Sequence, residues 1–203
     1  MRVKVVDCTD EPIRLIGMLA GVSHAKLDDG DETRKRRTWY CIDNRHDSVL
    51  EHVSVTFYVS GISRSCSHQL VRHRLASFVE RSQRYAEPDF RGAWYVNPFA
   101  DGPESEVFKS AMESAMRTYI TLREMDVPPE DARFVLPEAT KTDIAVTVNL
   151  RELDHMRDER CSDSAQWEIR EVVEQMWMEL AGVDEQWHKL LERLDGRRED
   201  ARS

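Results

Sequence analysis

Residues 64–85 read RSCSHQLVRHRLASFVERSQRY. The stretch holds five arginines, Arg64, Arg72, Arg74, Arg81 and Arg84, against one acid, Glu80, for a local formal charge of +4. The whole chain of 203 residues carries −9, so the remainder carries −13. His68 and His73 add positive charge when protonated, and Gln69, Ser77, Ser82 and Gln83 offer neutral hydrogen bonds. Guanidinium forks bind phosphate or carboxylate oxygens bidentately, so this local inversion is a candidate anion site. Charge alone leaves a second reading standing, a solvated helix face paired with acidic surface. The spacing predicts a helix over 63–73 and an extended segment over SFVERSQRYA.

Outward from this window, the apolar pattern changes period several times. Val53, Val55, Phe57 and Val59 alternate with polar residues, as do Ile144, Val146 and Val148, and both runs predict half-buried strands. Residues 3–7 predict a short strand. Helices are expected over 11–21, 32–43, 104–125, 149–159 and 164–181, with a short one opened by Pro128 and Pro129 and ended before Pro137. In 164–181, Ala165, Ile169, Val172, Val173, Met176 and Leu180 form the apolar stripe, so Met176 and Trp177 read as core. Strands and helices do not alternate as βαβ units, which predicts an α+β fold with an antiparallel or mixed sheet and a helical bundle. One domain over 1–195 is expected, with 196–203 (GRREDARS) a frayed, disordered tail.

Composition narrows the classes of partner. With 38 acidic against 29 basic residues, the average field repels nucleic acid and anionic membrane. No stretch approaches the ~20 apolar residues of a membrane span, and MRVKVVDCTD lacks a signal-peptide core, so a cytoplasmic protein is expected. Cys8, Cys41, Cys66 and Cys161 form no C-x-x-C pair, which disfavours a zinc site or disulfide framework; no metal is expected. The eight glycines build neither G-x-G-x-x-G nor a Walker A loop. A nucleotide would have to be held by side chains, and 23 of the 29 basic residues are arginine.

The order Arg72-His73-Arg74, seven residues, then Ser82, continuing to SQRY, closely resembles the signature of the flavin-dependent thymidylate synthases. Further segments resemble that family at consistent distances: RHDSVLEH at 45–52, ARFVLPEATKTDIAVTVNLREL at 132–153, and Arg160 followed by SAQWEIR at 164–170. The resemblance spans roughly residues 20–180. It implies an α+β enzyme that transfers a methylene from methylenetetrahydrofolate to dUMP, with NADPH-reduced FAD as hydride source and no enzyme nucleophile. It also implies a homotetramer whose active sites draw residues from several subunits.

Residue by residue, the resemblance assigns Gln69, Arg72, Glu80, Ser82, Arg84, Arg133 and Arg160 to dUMP. It assigns His46, Ser48, Arg72, His73, Arg74, Glu80, Asn149, Arg151 and His155 to FAD. Arg160 matches the arginine that favours the ionised pyrimidine, a role for which a fixed cation is suited. From the residues alone, Arg160 and Arg133 could equally pair with Asp131, Asp158 or Glu159, Asn149 could be a helix cap, and Ser82 a turn serine. Val79, Phe78 and Ala86 stand where the family commonly has Asn, Tyr and Ser. They lie beside the nucleotide positions and so bear on substrate preference. Two other readings are an enzyme of the same fold that methylates or hydroxymethylates another uridine nucleotide, and a non-catalytic nucleotide-binding protein.

Overall fold

The computed structural model describes residues 1–27 and 29–202, and side chains as far as Arg198. Its elements are β1 (Arg2–Cys8), α1 (Pro12–Ala20), α2 (Asp31–Asp43), β2 (Ser54–Ser63), α3 (Arg64–Leu70), β3 (Ala76–Glu80), α4 (Pro103–Glu124), α5 (Pro129–Ala132), β4 (Lys141–Asn149), α6 (Leu150–Arg160), α7 (Trp167–Ala181) and α8 (Glu185–Arg202). The four strands form one sheet in the order β1-β2-β4-β3. Leu150 N–H bonds to the Val53 carbonyl and Arg64 N–H to the Thr140 carbonyl. Residue numbers rise along one strand as they fall along the other, so β2 and β4 are antiparallel. The fold is α+β, as the pattern of periods predicts.

Chain contacts divide the molecule into two compact units, Met1 with 60–72 and 79–144, and 2–59 with 73–78 and 145–203. In the second unit, Val55, Phe57 and Val59 of β2 point inward, as do Val146 and Val148 of β4. The α7 stripe (Val172, Val173, Met176) and Trp187 of α8 are also buried there. A close crossing of α1 on α2 depends on Gly17, where an added Cβ would stand 2.0 Å from the Arg34 carbonyl oxygen. In the first unit, Phe90 packs edge-on against Trp94 and Tyr119, with ring centroids 5.1 and 5.6 Å apart. Such T-shaped pairs suit the quadrupoles of aromatic rings.

One sequence expectation needs correction. The helix expected over 63–73 ends at Leu70, and Arg72, His73 and Arg74 lie in the turns that lead to β3. Tight bonds from Arg72 N–H to the Gln69 carbonyl and from Ala76 N–H to the His73 carbonyl close these turns. In these turns Arg72 and Arg74 are exposed and His73 between them is buried. At the other end, α8 runs to Arg202, into the 196–203 segment expected as a tail. Arg197 and Arg198 are held by ion pairs to Asp47, Asp154 and Asp158. The side chains of the last residues of that tail lie outside the described residues.

Candidate active site

The candidate residues divide between the two units. Gln69, Arg72, Glu80, Ser82, Arg84 and Arg133 belong to the first, and His46, Ser48, His73, Arg74, Asn149, Arg151, His155 and Arg160 to the second. Apart from Arg160, the residues expected to hold dUMP are thus all in the first unit. Apart from Arg72 and Glu80, those expected to hold FAD are all in the second.

In the first unit, α3 and the end of β3 hold one carboxylate firmly. Ser63 caps α3 by accepting from Cys66 N–H at 3.0 Å. Ser67, one residue beyond Cys66, donates to Glu80 Oε1 at 2.8 Å, and Arg64 Nη1 lies 3.4 Å from the same oxygen. Arg81 pairs with Asp143 at 3.7 Å and Arg84 with Glu130 at 3.4 Å. The paired-surface reading of the basic window therefore holds for Arg64, Arg81 and Arg84. It fails for Arg72 and Arg74, which are exposed and form no ion pair among the described residues. Ser82 accepts from Arg84 N–H at 3.1 Å in a local turn. Arg133, which sequence alone could pair with Asp131, instead donates to the Glu130 carbonyl at 3.1 Å. Gln69 is half-buried near the end of α3.

In the second unit, α6 organises the site. Asn149 caps it, its side-chain oxygen accepting from Glu152 N–H at 2.9 Å. This puts Glu152 on the buried side of the first turn and leaves Arg151 exposed, paired with Glu51. His73 is 6% exposed. Its Nδ1 lies 3.1 Å from Glu152 Oε1, and its Nε2 lies 3.0 Å from Arg160 Nε. A guanidinium can only donate, so Nε2 is an acceptor and the ring proton sits on Nδ1, directed at Glu152. Burial holds the His73 pKa below the ordinary histidine value, with the Arg160 charge acting in the same direction and Glu152 against it. His73 is therefore a neutral imidazole gripped at both nitrogens.

Arg160 is half-buried and forms no ion pair among the described residues. The partner that sequence alone would offer, Asp158, is taken by Arg198 at 2.6 Å. Its charge is thus held in place by a neutral acceptor, with no carboxylate within ion-pair distance among the described residues. His155 stands edge-on to His73, with ring centroids 6.0 Å apart. His73, Glu152 and His155 bring possible metal-ligand atoms within 4.8 Å of one another. A cation there would have to displace the Nδ1 proton that Arg160 fixes, and it would face that guanidinium.

His46 and Ser48 are exposed on the segment between α2 and β2. They line a cleft of about 860 Å³ with Arg37, Tyr40, Glu51 and His52. Cys66 is fully buried, and no histidine bonds to Ser82 among the described residues, so neither has the setting of an activated nucleophile. Sequence reasoning missed Ser67, Glu152 and Arg197. Glu152 follows the capping Asn149 by three residues, a spacing that marks a helix start and gives no hint of its bond to His73.

Comparison with known proteins gives consistent matches. The family model for the thymidylate synthase complementing protein matches residues 4–184. A flavin-dependent thymidylate synthase of Geobacter sulfurreducens is 48% identical over 143 residues, which cover 68% of this chain and 61% of that protein. The Thermococcus kodakarensis protein of the same name is 39% identical over 210 residues, covering 94% of this chain and 84% of its own. The chain thus matches less than two thirds of the Geobacter relative's length and most of the Thermococcus one. Among solved structures, thymidylate synthase X of Helicobacter pylori with FAD and dUMP has a TM-score of 0.77 at 22% identity, covering 96% of this chain and 99% of that one.

Proposed function

The chain belongs to the flavin-dependent thymidylate synthase family, and from that premise we propose that it converts dUMP to dTMP. Methylenetetrahydrofolate supplies the carbon, and NADPH-reduced FAD supplies the hydride. The observation that carries this reading is Arg160, a half-buried cation with no acidic partner among the described residues, aimed by a neutral imidazole. Such a group lowers the free energy of negative charge developing on a pyrimidine beside it, and it needs no reorganisation to do so. His73 fixes the guanidinium through Nε2, and Glu152 fixes His73 through Nδ1.

The donor set suits a flavin dinucleotide. Arg74 is an exposed cation that forms no ion pair among the described residues, Arg151, His46, Ser48 and His155 add exposed donors, and the cleft at His46 is within the ~300–1,000 Å³ usual for small-ligand sites. We assign FAD to His46, Ser48, Arg72, His73, Arg74, Glu80, Asn149, Arg151 and His155. We assign dUMP to Gln69, Arg72, Glu80, Ser82, Arg84, Arg133 and Arg160. Arg72, Arg84 and Arg133 would hold phosphate by charge-assisted bonds, with Ser82 and Gln69 adding neutral ones. A carboxylate held by Ser67 and Arg64, as Glu80 is, presents its remaining lone pairs in a fixed direction. Asn149 serves as helix cap as well, which orients the segment that bears Arg151 and His155.

Family membership also supports a homotetramer with shared active sites. The enzyme would work in the cytoplasm, a setting in which its four free cysteines stay reduced. No helix among the described residues is long and apolar enough to cross a membrane.

Purification tests the reading. The protein should be yellow or become so with FAD, and NADPH should bleach it. A protein that cannot be loaded with FAD refutes it.

A further inference from the structure

Arg197 sits on α8, 13 residues beyond the last residue that the family model matches. Its side chain is 10% exposed. One arm of its fork, Nη1, donates to Asp47 Oδ1 at 2.5 Å; the other, Nη2, donates to Asp154 Oδ2 at 2.6 Å. Asp47 lies between His46 and Ser48, and Asp154 precedes His155 on α6. Both carboxylates thus flank residues assigned to FAD, on segments about a hundred residues apart in sequence. Asp154 is itself 7% exposed, and burial raises its pKa despite the opposing charges of Arg198 and Arg197. Asp154 would be a costly buried charge without these arginines. The arrangement continues in both directions: Arg45 donates to the Arg197 carbonyl at 3.1 Å, and Arg198 pairs with Asp154 and Asp158.

We propose that Arg197 is a positioning residue for the flavin site, joining the His46–Ser48 segment to the His155 turn of α6 so that both are set before FAD arrives. A planar fork meets the two carboxylates through separate arms of fixed geometry, whereas a lysine ammonium is a compact point charge on a flexible stem. Segments already ordered in the free protein spare the bound state the ordering cost that loose ones impose. The inference rests on the assignment of His46, Ser48 and His155 to FAD.

The test compares R197A and R197K with R193A. Arg193 also ties α8 down, through a bidentate pair with Asp43 on α2, a helix that carries no residue assigned to FAD. Two quantities are read on the full chain: hydrogen exchange of amides 46–48 and 153–156, and the FAD dissociation constant from quenching of flavin fluorescence. R197A and R197K should speed exchange in both segments and raise the FAD dissociation constant roughly tenfold, the penalty when the competent state falls to about a tenth of the population. R193A should leave both readings within about twofold. R197K retains a cation and keeps the chain folded if R197A does not. Wild-type binding of FAD with R197K equal to wild type in both readings overturns the inference and leaves the flavin site standing. Faster exchange in R197K with no FAD binding by wild type overturns the flavin assignment and the inference with it.

Discussion

Arg160 Nε donates to His73 Nε2 over 3.0 Å, and that one bond fixes the tautomer, the charge and the direction of both groups. Because Nε2 is engaged, Nδ1 must carry the proton, and Glu152 must accept it. The three residues form a chain of dependence that starts at a buried carboxylate and ends at the Arg160 guanidinium. Removing its first member should be felt at its last. E152A leaves the buried His73 N–H without a partner, which costs about 1–3 kcal/mol of stability. It also frees the ring to turn, so turnover should fall by more than dUMP affinity. Urea unfolding and a separation of kcat from KM check both parts. Unchanged kcat in a folded E152A would show that Arg160 needs no such support.

The pH dependence has a definite sign. Burial holds His73 neutral to a lower pH than the ~6.5 of an unfolded imidazole. The unfolded chain therefore takes up a proton first as pH falls. The stability linked to His73 is fully present above ~6.5 and is lost as pH drops from there toward the depressed folded value. Protonation also removes the acceptor of Arg160 and sets an imidazolium beside a guanidinium and His155. Denaturant midpoints measured from about pH 7 to pH 5 should fall in wild type, and less steeply in H73N. Equal slopes would remove His73 from the account.

Arg160 and the flavin should separate experimentally. R160A removes the cation that faces developing charge but none of the proposed phosphate contacts to FAD. Turnover should fall by about 10²–10³, the effect of losing one preorganised group at an ionising centre, while bound flavin per chain stays unchanged. Loss of flavin would mean that Arg160 holds the cofactor instead.

The crossing of α1 on α2 gives a prediction independent of chemistry. G17A would place a methyl 2.0 Å from the Arg34 carbonyl oxygen, a backbone atom that cannot swing aside. The two helices must part, which should destabilise the chain by about 1–3 kcal/mol, as overpacking does. A thermal melt of G17A measures it. G30A, with nothing within 4 Å of the added carbon, is the control.

The sequence is legible where one physical rule acts locally. Alternation in Val53–Val59 and Ile144–Val148 places β2 and β4, and proline and apolar period place α4 and α5. The site is legible only in part. Arg72 and Arg74 stand out as cations in an acidic chain, and they form no ion pair among the described residues. Three other arginines of the window are paired, and nothing in their spacing separates the two groups. The end of α3 at Leu70 is hidden because Val71–Leu75 continues a plausible helical pattern, while a buried bond 79 residues away holds His73 in the turn. The place of Arg197 is hidden for the same reason. GRREDARS is polar, and it takes Asp47, Asp154 and Asp158, distant in sequence, to hold its Arg197 and Arg198.

The account rests most heavily on the reaction itself. Purified chain should be incubated with FAD, NADPH, methylenetetrahydrofolate and dUMP, and the nucleotides separated by chromatography. The account predicts dTMP that accumulates as NADPH is consumed and that vanishes when FAD or the folate is omitted. NADPH oxidised by a flavin-loaded protein while dUMP is recovered unchanged would contradict it.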